Sequence, residues 1–316
     1  MLTEKMLSVV VVCYRDAGSI HALYERLSKT LASVAPSYEI IYVNDASPDD
    51  AEPILRALAE KDLRLTVIHQ ARNFGAQAAF TAGMVQAMGD AVILMDGDLQ
   101  DPPELIVDFV KKWQEGYDVV YGIRRKRERS MGRWTAWLYH LFYVLFNRLS
   151  YMRIPLDAGE FSLMDRNVVD RVNALPERDR LIRGLRAWVG FRQTGIEYVR
   201  PERYAGRSTN SVFRNTRWAR KAICSFSYAP LEWVSYLATF MVLLSIAGMA
   251  FYIVTFFAYP DVPRGLTTIF VLVLFLGSIQ LLSLGVIAEY IGRIFEETKQ
   301  RPRYVTREIQ NDHRKR

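Results

Sequence analysis

The first part of the chain alternates between short apolar runs and amphipathic stretches. Leu7–Cys13 is an unbroken run rich in β-branched residues, which is typical of a strand covered on both faces. Residues 19–32 instead place apolar side chains at helical spacing, which predicts a helix with one buried face. Further strands are predicted at 38–43, 65–69, 91–95 and 118–121, and further helices at 53–61, 75–88 and 105–115. This alternation predicts an α/β fold with a mostly parallel sheet and right-handed crossovers.

The C-terminal part of the chain has a different pattern. Residues 233–259 and 265–288 contain no charged side chain, and each exceeds the ~20 residues that a helix needs to cross a bilayer. Basic residues flank the pair on both outer sides, whereas the connection at 260–264 carries little charge. The positive-inside rule then predicts a multi-pass protein of the inner (cytoplasmic) membrane, with the preceding domain and both termini in the cytoplasm. The alternative is a buried helical hairpin in a soluble protein.

The region between these parts is basic and then aromatic. Residues 124–133 are rich in arginine and lysine, and residues 134–152 combine Trp, Tyr and Phe with aliphatic side chains. This composition predicts an amphipathic helix in the membrane interface, and the alternative is a core helix. The predicted parts are an α/β core at 1–130, an interface region at 131–230, a transmembrane hairpin at 231–290 and a basic cytoplasmic tail at 291–316.

The net charge of +7 limits the kinds of binding partner that the chain can have. A basic chain can bind nucleic acid, anionic lipid or a phosphorylated substrate. The charge here lies beside the apolar spans and not on a groove-reading motif, which favours headgroups and lipid phosphate over nucleic acid. The four histidines and two cysteines show no metal-ligand spacing, so none is assigned to a metal.

Polar clusters follow three of the predicted strands. They are residues 14–16, 44–45 and 96–98, and the carboxyl ends of parallel strands meet at one edge of a sheet. In the last cluster, Asp96 and Asp98 flank Gly97 in a turn directly after a buried strand. Two such carboxylates suit Mg²⁺ or Mn²⁺, which take oxygen ligands and are often completed by substrate phosphates. The pattern therefore predicts a metal and phosphate site at this edge.

Several stretches together resemble family-2 glycosyltransferases with the GT-A fold, and more narrowly the polyprenyl-phosphate glycosyltransferases. That group includes dolichol-phosphate mannose synthase and the bactoprenol glucosyltransferases. The matching stretches are SVVVVCY at 8–14, YVNDASPDD at 42–50, RNFGAQAAFTAG at 72–83, GDAVILMDGDLQDPPELI at 89–106, EGYDVVYGIRRKR at 115–127, AGEFSLMDR at 158–166 and AEYIGRIFEETKQRPRY at 288–304.

The resemblance implies roles for residues on the donor side. It assigns nucleotide binding to Tyr14, Asp16, Asp45, Asp96, Arg124 and Arg125, and the metal and diphosphate to Asp96, Asp98 and Gln100. For Arg124 and Arg125 a solvated basic loop is the alternative. Asp16 stands where the family usually has Glu, Arg15 where it often has Asn, and Val12 where it often has Pro.

On the acceptor side, the resemblance implies a catalytic carboxylate at Glu160, acting together with Asp98. Relatives usually carry Asp at this position, and the alternative is a salt bridge to a nearby arginine. The acceptor phosphate is assigned to Arg207, Ser208 and Arg214, because Thr209 replaces the usual lysine and arginine binds phosphate well.

The resulting hypothesis is an inverting enzyme that moves one sugar from a nucleotide-sugar donor to a polyprenyl phosphate at the cytoplasmic face. Stretch 188–191 and segment 160–164 look closest to the bactoprenol glucosyltransferases, and this resemblance favours UDP-glucose as the donor and undecaprenyl or another polyprenyl phosphate as the acceptor. UDP-N-acetylhexosamine, UDP-aminoarabinose and GDP-mannose stay open as donors, and a homo-oligomer is allowed. The competing hypothesis is a non-catalytic, nucleotide-sugar-binding membrane scaffold.

Overall fold

A computed structural model describes residues 1–125, 158–199, 227, 229–258 and 266–315. The strands are β1 (Leu7–Cys13), β2 (Tyr38–Asn44), β3 (Leu65–Gln70), β4 (Ala91–Asp96), β5 (Val119–Arg125), β6 (Ala158–Asp165), β7 (Gln193–Val199) and β8 (Thr306–Gln310). The helices are α1 (Ile20–Val34), α2 (Ala51–Lys61), α3 (Ala76–Gln86), α4 (Ile106–Gln114), α5 (Arg166–Ala174), α6 (Ile182–Trp188), α7 (Ala229–Ala258) and α8 (Leu266–Thr298). The interfacial helix predicted at 134–152 lies outside the described residues.

The described strands form one eight-stranded sheet in the order β7-β5-β6-β4-β1-β2-β3-β8. Strands β4, β1, β2 and β3 run parallel, and β7 is parallel to β5. Strand β6 runs antiparallel to both β4 and β5, and β8 is antiparallel to β3. The predicted α/β class with a mostly parallel sheet is confirmed.

Helices cover both faces of the sheet. Val9 and Val11 of β1 belong to a buried apolar cluster that also contains residues of α1, α2 and α4. Val10 faces the other side, where α3 lies so close that a Cβ at Gly83 would stand 2.1 Å from Val10 Cγ1. This close approach explains why α3 has glycine at position 83. Burial on both faces agrees with the unbroken apolar sequence of β1.

The predicted elements of residues 1–125 are present with small shifts at their ends. Helix α2 begins at Ala51 instead of residue 53. Pro53 therefore lies in the first turn, where its missing N–H leaves no helical hydrogen bond unmade. Gly75 precedes α3 with φ of 90°, so the helix begins one residue later than predicted.

Strand β8 was not predicted, because residues 291–316 were interpreted as a basic cytoplasmic tail. Its sequence TREIQ is mostly polar, and most of its residues are partly exposed. Such an edge strand carries no apolar alternation that would identify it. It is held instead by backbone pairing with β3 and by ion pairs from Glu308 to Arg56 at 2.5 Å and from Arg307 to Glu52 at 2.6 Å.

Helices α7 and α8 belong to a second compact unit. Within them, Ala229–Gly248 and Phe275–Thr298 are long and apolar enough to cross a membrane by length and composition. Tyr290 of α8 donates a hydrogen bond to the Ser227 carbonyl oxygen at 2.7 Å, which ties α8 to the residues that precede α7. The two long apolar helices expected from the sequence are therefore present.

Candidate active site

The carboxyl ends of the parallel strands deliver polar side chains to one edge of the sheet. Asp96 ends β4, and Arg124 lies next to last in β5. Leu94 of β4 pairs with Ser162 of the antiparallel β6, so Glu160 emerges at the same edge as Asp96. The fold therefore brings together residues that are separated by up to 64 positions in the sequence (96 to 160).

The turn after β4 is shaped by the close approach of β1. The Gly97 amide donates to the Val12 carbonyl oxygen at 2.9 Å, and a Cβ at Gly97 would stand 2.7 Å from that oxygen. The Ser19 hydroxyl donates to the Gly97 carbonyl oxygen at 2.6 Å. Glycine is thus required between the two aspartates, and the backbone that carries Asp96 and Asp98 is held from two sides.

Asp98 and Gln100 form a compact turn. Asp98 is buried, and its Oδ1 accepts a hydrogen bond from the Gln100 amide at 3.1 Å. Leu99 between them has φ of 58°, in the left-handed region. Asp96, by contrast, is partly exposed. The two carboxylates thus differ in access: the turn holds Asp98, while Asp96 reaches the open edge.

Arg124 lies between two carboxylates. Its Nη2 is 4.0 Å from Asp96 Oδ2 and 3.8 Å from Asp101 Oδ1. Burial disfavours its charge, but Asp101, Tyr198 and Asp96 outweigh burial and raise the pKa of its guanidinium above the ordinary value. Arg124 is therefore a fixed cation beside Asp96 and not part of a solvated loop. Arg125 ends β5, and its side chain lies outside the described residues.

Tyr14 and Asp16 lie together in the turn after β1. Asp16 Oδ2 accepts a hydrogen bond from the Tyr14 amide at 3.2 Å and lies 3.6 Å from the point where a Gly97 Cβ would stand. Arg15 between them has φ of 62°, and its guanidinium lies 5.4 Å from the centre of the Tyr14 ring. The structure therefore places this turn against the turn that carries the two aspartates.

Asp45 is buried and has two backbone partners. Its Oδ1 accepts from the Phe74 amide at 2.7 Å, and its Oδ2 accepts from the Gly75 amide at 2.8 Å. Burial raises the pKa of Asp45, and the two amide hydrogen bonds partly oppose that rise. Asp45 thus fixes the loop before α3, and a contact with a nucleobase would use the remaining lone pairs of the same carboxylate.

Among the described residues, Glu160 hydrogen-bonds to a side chain of α3. Its Oε1 accepts a hydrogen bond from Gln77 Nε2 at 3.0 Å. The acceptor-phosphate residues Arg207, Ser208 and Arg214 lie outside the described residues, as does Thr209. Their predicted role stays a prediction.

Several residues at this edge were not predicted. Ser47 and Asp49, in the loop after β2, hold the turn after β1: Ser47 Oγ accepts from the Arg15 amide at 2.7 Å, and Asp49 Oδ2 accepts from the Ala17 amide at 2.9 Å. The Tyr198 hydroxyl donates to the buried Asp101 carboxylate, next to Arg124. Asp101 lies in the same turn sequence as Asp96 and Asp98, after Gln100, and was within reach of sequence reasoning. Tyr198 comes from β7, and nothing in its local sequence marks it.

The carboxylate oxygens at this edge of the sheet fit a hard divalent cation whose remaining coordination positions are filled by a bound substrate. Among the described residues, no group of three or more His, Cys, Asp or Glu side chains could hold a metal ion. Asp96 and Asp98 provide oxygen ligands only, which is the type that Mg²⁺ and Mn²⁺ prefer, and Mg²⁺ usually binds through one or two carboxylates plus substrate phosphates. The residues present therefore suit a cation that arrives with a phosphorylated substrate.

Comparisons with known proteins identify the family of the chain. Residues 8–172 match the family described as Glycosyl transferase family 2, and residues 229–294 match the one described as GtrB C-terminal hairpin. The chain is 42% identical over 306 residues to an uncharacterised glycosyltransferase of Synechocystis sp., covering 96% of this chain and 95% of that protein.

A second relative has a named activity. The chain is 37% identical over 309 residues to the bactoprenol glucosyl transferase of Shigella phage SfV, covering 98% of this chain and 99% of that protein. A solved mannosyltransferase of Pyrobaculum calidifontis, in complex with GDP-Man and Mn²⁺, is 16% identical with a TM-score of 0.45, over 92% of this chain and 88% of that one. The chain belongs to glycosyl transferase family 2 and carries a GtrB-type C-terminal hairpin, as its sequence motifs predicted.

Proposed function

We propose that this protein transfers glucose from UDP-glucose to undecaprenyl phosphate or another polyprenyl phosphate. The observation that carries the proposal is the 37% identity, over 98% of the chain, to a bactoprenol glucosyl transferase. The site agrees chemically with a phosphorylated donor, because Asp96, Asp98 and Arg124 lie at one edge of the sheet. The matched hairpin at 229–294 agrees with a lipid acceptor.

On the donor side, Asp96 and Asp98 would hold Mg²⁺ or Mn²⁺ together with the diphosphate of the sugar nucleotide, with Gln100 beside them. When bound, the metal neutralises negative charge that develops on the leaving diphosphate. Arg124 adds a second, permanent positive charge 4.0 Å from Asp96. Tyr14, Asp16 and Asp45 would line the nucleotide, and Arg125 is retained as a phosphate contact from its place at the end of β5.

The proposed reaction is a single displacement that inverts the anomeric centre. An oxygen of the acceptor phosphate forms a bond to the anomeric carbon while the bond from that carbon to the diphosphate oxygen breaks, which releases UDP. A phosphate monoester has a second pKa of ~6, so its attacking oxygen is largely anionic at neutral pH. Glu160 would orient the acceptor or take the residual proton from its P–OH group. Positioning and electrostatics therefore dominate the catalysis.

The acceptor side is proposed from the sequence. Arg207, Ser208 and Arg214 would bind the lipid phosphate. Helices α7 and α8 would anchor the chain in the cytoplasmic membrane, with the sheet-containing unit and both termini in the cytoplasm. The proposal allows a homo-oligomer and does not require one.

A donor panel tests the proposal. Full-length protein in nanodiscs is mixed with undecaprenyl phosphate, Mg²⁺ or Mn²⁺, and one of UDP-glucose, UDP-N-acetylglucosamine, UDP-aminoarabinose or GDP-mannose. We expect lipid-linked sugar from UDP-glucose alone and loss of the product when EDTA removes the cation. Asp98→Asn keeps an oxygen for the Gln100 amide but loses the charge, so it should lower the rate by at least ~100-fold. A folded, metal-supplied protein that makes no lipid-linked sugar from any donor contradicts the proposal.

A further inference from the structure

A partly buried side-chain amide links Glu160 to two helices. Gln77 lies in the first turn of α3, and its Nε2 donates to Glu160 Oε1 at 3.0 Å. Its Oε1 accepts from the Ile182 amide at 2.7 Å. Ile182 begins α6, so its amide is among the first-turn N–H groups that have no partner within their own helix. One side-chain amide therefore ties β6, α3 and α6 together.

The orientation of the Gln77 amide follows from its partners. A backbone N–H can only donate, so the oxygen of Gln77 must face Ile182 and its NH₂ group must face Glu160. The reverse orientation would set two donors against each other. The Ile182 amide therefore fixes the orientation of the Gln77 side chain, and with it the direction of the N–H group that donates to Glu160 Oε1.

The second carboxylate oxygen of Glu160 and the terminal nitrogens of Arg186 share one property. Among the described residues, Glu160 Oε2 is buried without a hydrogen-bond partner, and so are Nη1 and Nη2 of Arg186. Arg186 is 1% exposed and lies with its guanidinium 5.1 Å from the centre of the Tyr121 ring. Ile182 and Arg186 are four residues apart on α6, so both face the same side of that helix.

Arg186 keeps its charge in this setting. Burial lowers the pKa of Arg186 to about 10, and the Glu160 carboxylate and Tyr121 oppose the fall while Arg183 adds to it. A pKa of about 10 leaves the guanidinium cationic at neutral pH. A buried cation whose two terminal nitrogens lack hydrogen-bond partners among the described residues is costly unless a nearby charge compensates it, and the Glu160 carboxylate contributes such a charge to the electrostatics of Arg186.

We propose that Gln77 and Arg186 are positioning residues for Glu160: Gln77 fixes Oε1, Arg186 provides the compensating charge, and the unpartnered Oε2 keeps its lone pairs for the P–OH group of the acceptor phosphate. The inference rests on the proposed function, because it needs Glu160 to act on the acceptor. In the part of the chain that the structure describes, the side chain of Gln77 contacts Glu160 and Ile182 and that of Arg186 contacts Tyr121, and none of these three is assigned to the donor. Loss of Gln77 or Arg186 should therefore lower kcat while the KM for the nucleotide sugar stays within a factor of about two.

Gln86 provides a matched control for Gln77. It lies at the end of the same helix, and its Nε2 also donates to a carboxylate, Asp312 Oδ1 at 2.6 Å. We expect Gln77→Met to lower kcat by up to about 100-fold, the loss that misplacement of a reacting group causes. Gln86→Met should leave kcat unchanged. Arg186→Met should also lower kcat, and Arg186→Lys, which keeps the charge, should restore part of it.

A second pair of variants uses pH. Gln77→Glu still accepts from the Ile182 amide but sets a carboxylate against Glu160. At low pH the two carboxyl groups share a proton and the contact survives, whereas at higher pH both ionise and repel each other. The kcat of Gln77→Glu should therefore fall as pH rises through a range in which the wild-type rate is flat. Gln86→Glu creates the same clash with Asp312 and should leave the pH profile of kcat unchanged.

The melting temperature separates this inference from the proposed function. If the wild-type protein transfers no sugar, the proposed function fails, and stability still tests the contact. Gln77→Glu should then lose melting temperature with rising pH relative to Gln77→Met. Equal melting temperatures of these two variants at every pH would overturn the contact. A wild-type kcat in Gln77→Met, with active wild-type protein, would overturn the positioning role.

Discussion

Two aspartates one residue apart are common in solvated turns, and what distinguishes this pair is the residue between them. Gly97 lies against the Val12 carbonyl oxygen, where a Cβ would stand 2.7 Å away. That oxygen is backbone in a buried strand, so it cannot swing aside as a flexible side chain would. The requirement for glycine is therefore a property of the packing between β4 and β1, and it fixes where Asp96 and Asp98 point.

We expect Gly97→Ala to displace both carboxylates. Because the clash is with backbone, the turn must shift by several tenths of an ångström or more, and a misplacement near 1 Å can cost about 100-fold in rate. The measurement is kcat/KM for UDP-glucose together with the melting temperature in detergent. Gly190→Ala is the control: Gly190 has φ of 79° but no atom within 4 Å of an added Cβ, so it adds backbone strain without a clash. Equal activity of both variants would show that the Gly97 contact does not position the site.

Whether a residue of the site could be predicted depends on how far its contact partners lie from it in the sequence. The placement of Asp96, Asp98 and Gln100 in one turn could be predicted, because the strand and its turn are adjacent in the chain. Gln77 and Tyr198 could not, because each meets its carboxylate only through the packing of a separate element. Asp45 was predicted as a nucleotide ligand, and its two backbone hydrogen bonds could not have been read from the sequence.

At the scale of elements, β8 shows how a polar segment can complete a sheet. It pairs with β3, and its charged side chains reach α2. The hydrogen bond from Arg307 lowers the pKa of Glu52 from 4.5 to about 2, against a smaller opposing effect of burial. The hydrogen bond from Arg56 likewise lowers the pKa of Glu308. Hydrophobic periodicity carries no information about such contacts, which is why this strand was missed while β1 to β4 were predicted.

The attachment of β8 should therefore weaken in acid. A carboxylate with a lowered folded pKa contributes stability that is present above its unfolded value and is lost as pH falls through the folded value. For Glu52 that window runs from 4.5 down to about 2. We expect hydrogen-exchange protection of β8 amides, corrected for intrinsic rates, to fall in this window before that of β2.

Two variants make this test specific. Glu308→Gln should reduce the protection of β8 already at neutral pH. Asp108→Asn removes a comparable exposed ion pair, with Lys111 at 3.0 Å on α4, and should leave β8 unchanged. If β8 and β2 lose protection together at every pH, the ion pairs contribute nothing to holding the strand.

At the scale of the whole molecule, two kinds of sequence pattern specify two units. Alternating strands and amphipathic helices predicted β1 to β5 of the sheet, and long uncharged runs predicted α7 and α8. Strands β6 and β7, like β8, were not predicted. The side chains along both helices are largely exposed in the described residues, including Phe240, Leu243 and Leu281. A buried core helix of a soluble protein would not expose such residues, so the alternative of a soluble hairpin is disfavoured.

The direction in which the hairpin crosses the membrane is the last prediction. Arginines and lysines lie before residue 229 and after residue 292, whereas the connection at 260–264 has a single arginine beside an aspartate. The positive-inside rule then places that connection outside the cytoplasm. With Cys13 and Cys224 replaced by alanine, a cysteine at Asp261 should react with a membrane-impermeant maleimide in intact cells. A cysteine at the exposed Arg314 should react only after the membrane is permeabilised. Labelling of Arg314→Cys in intact cells, or protection of Asp261→Cys there, would reverse the topology and put the proposed cytoplasmic donor on the wrong side of the membrane.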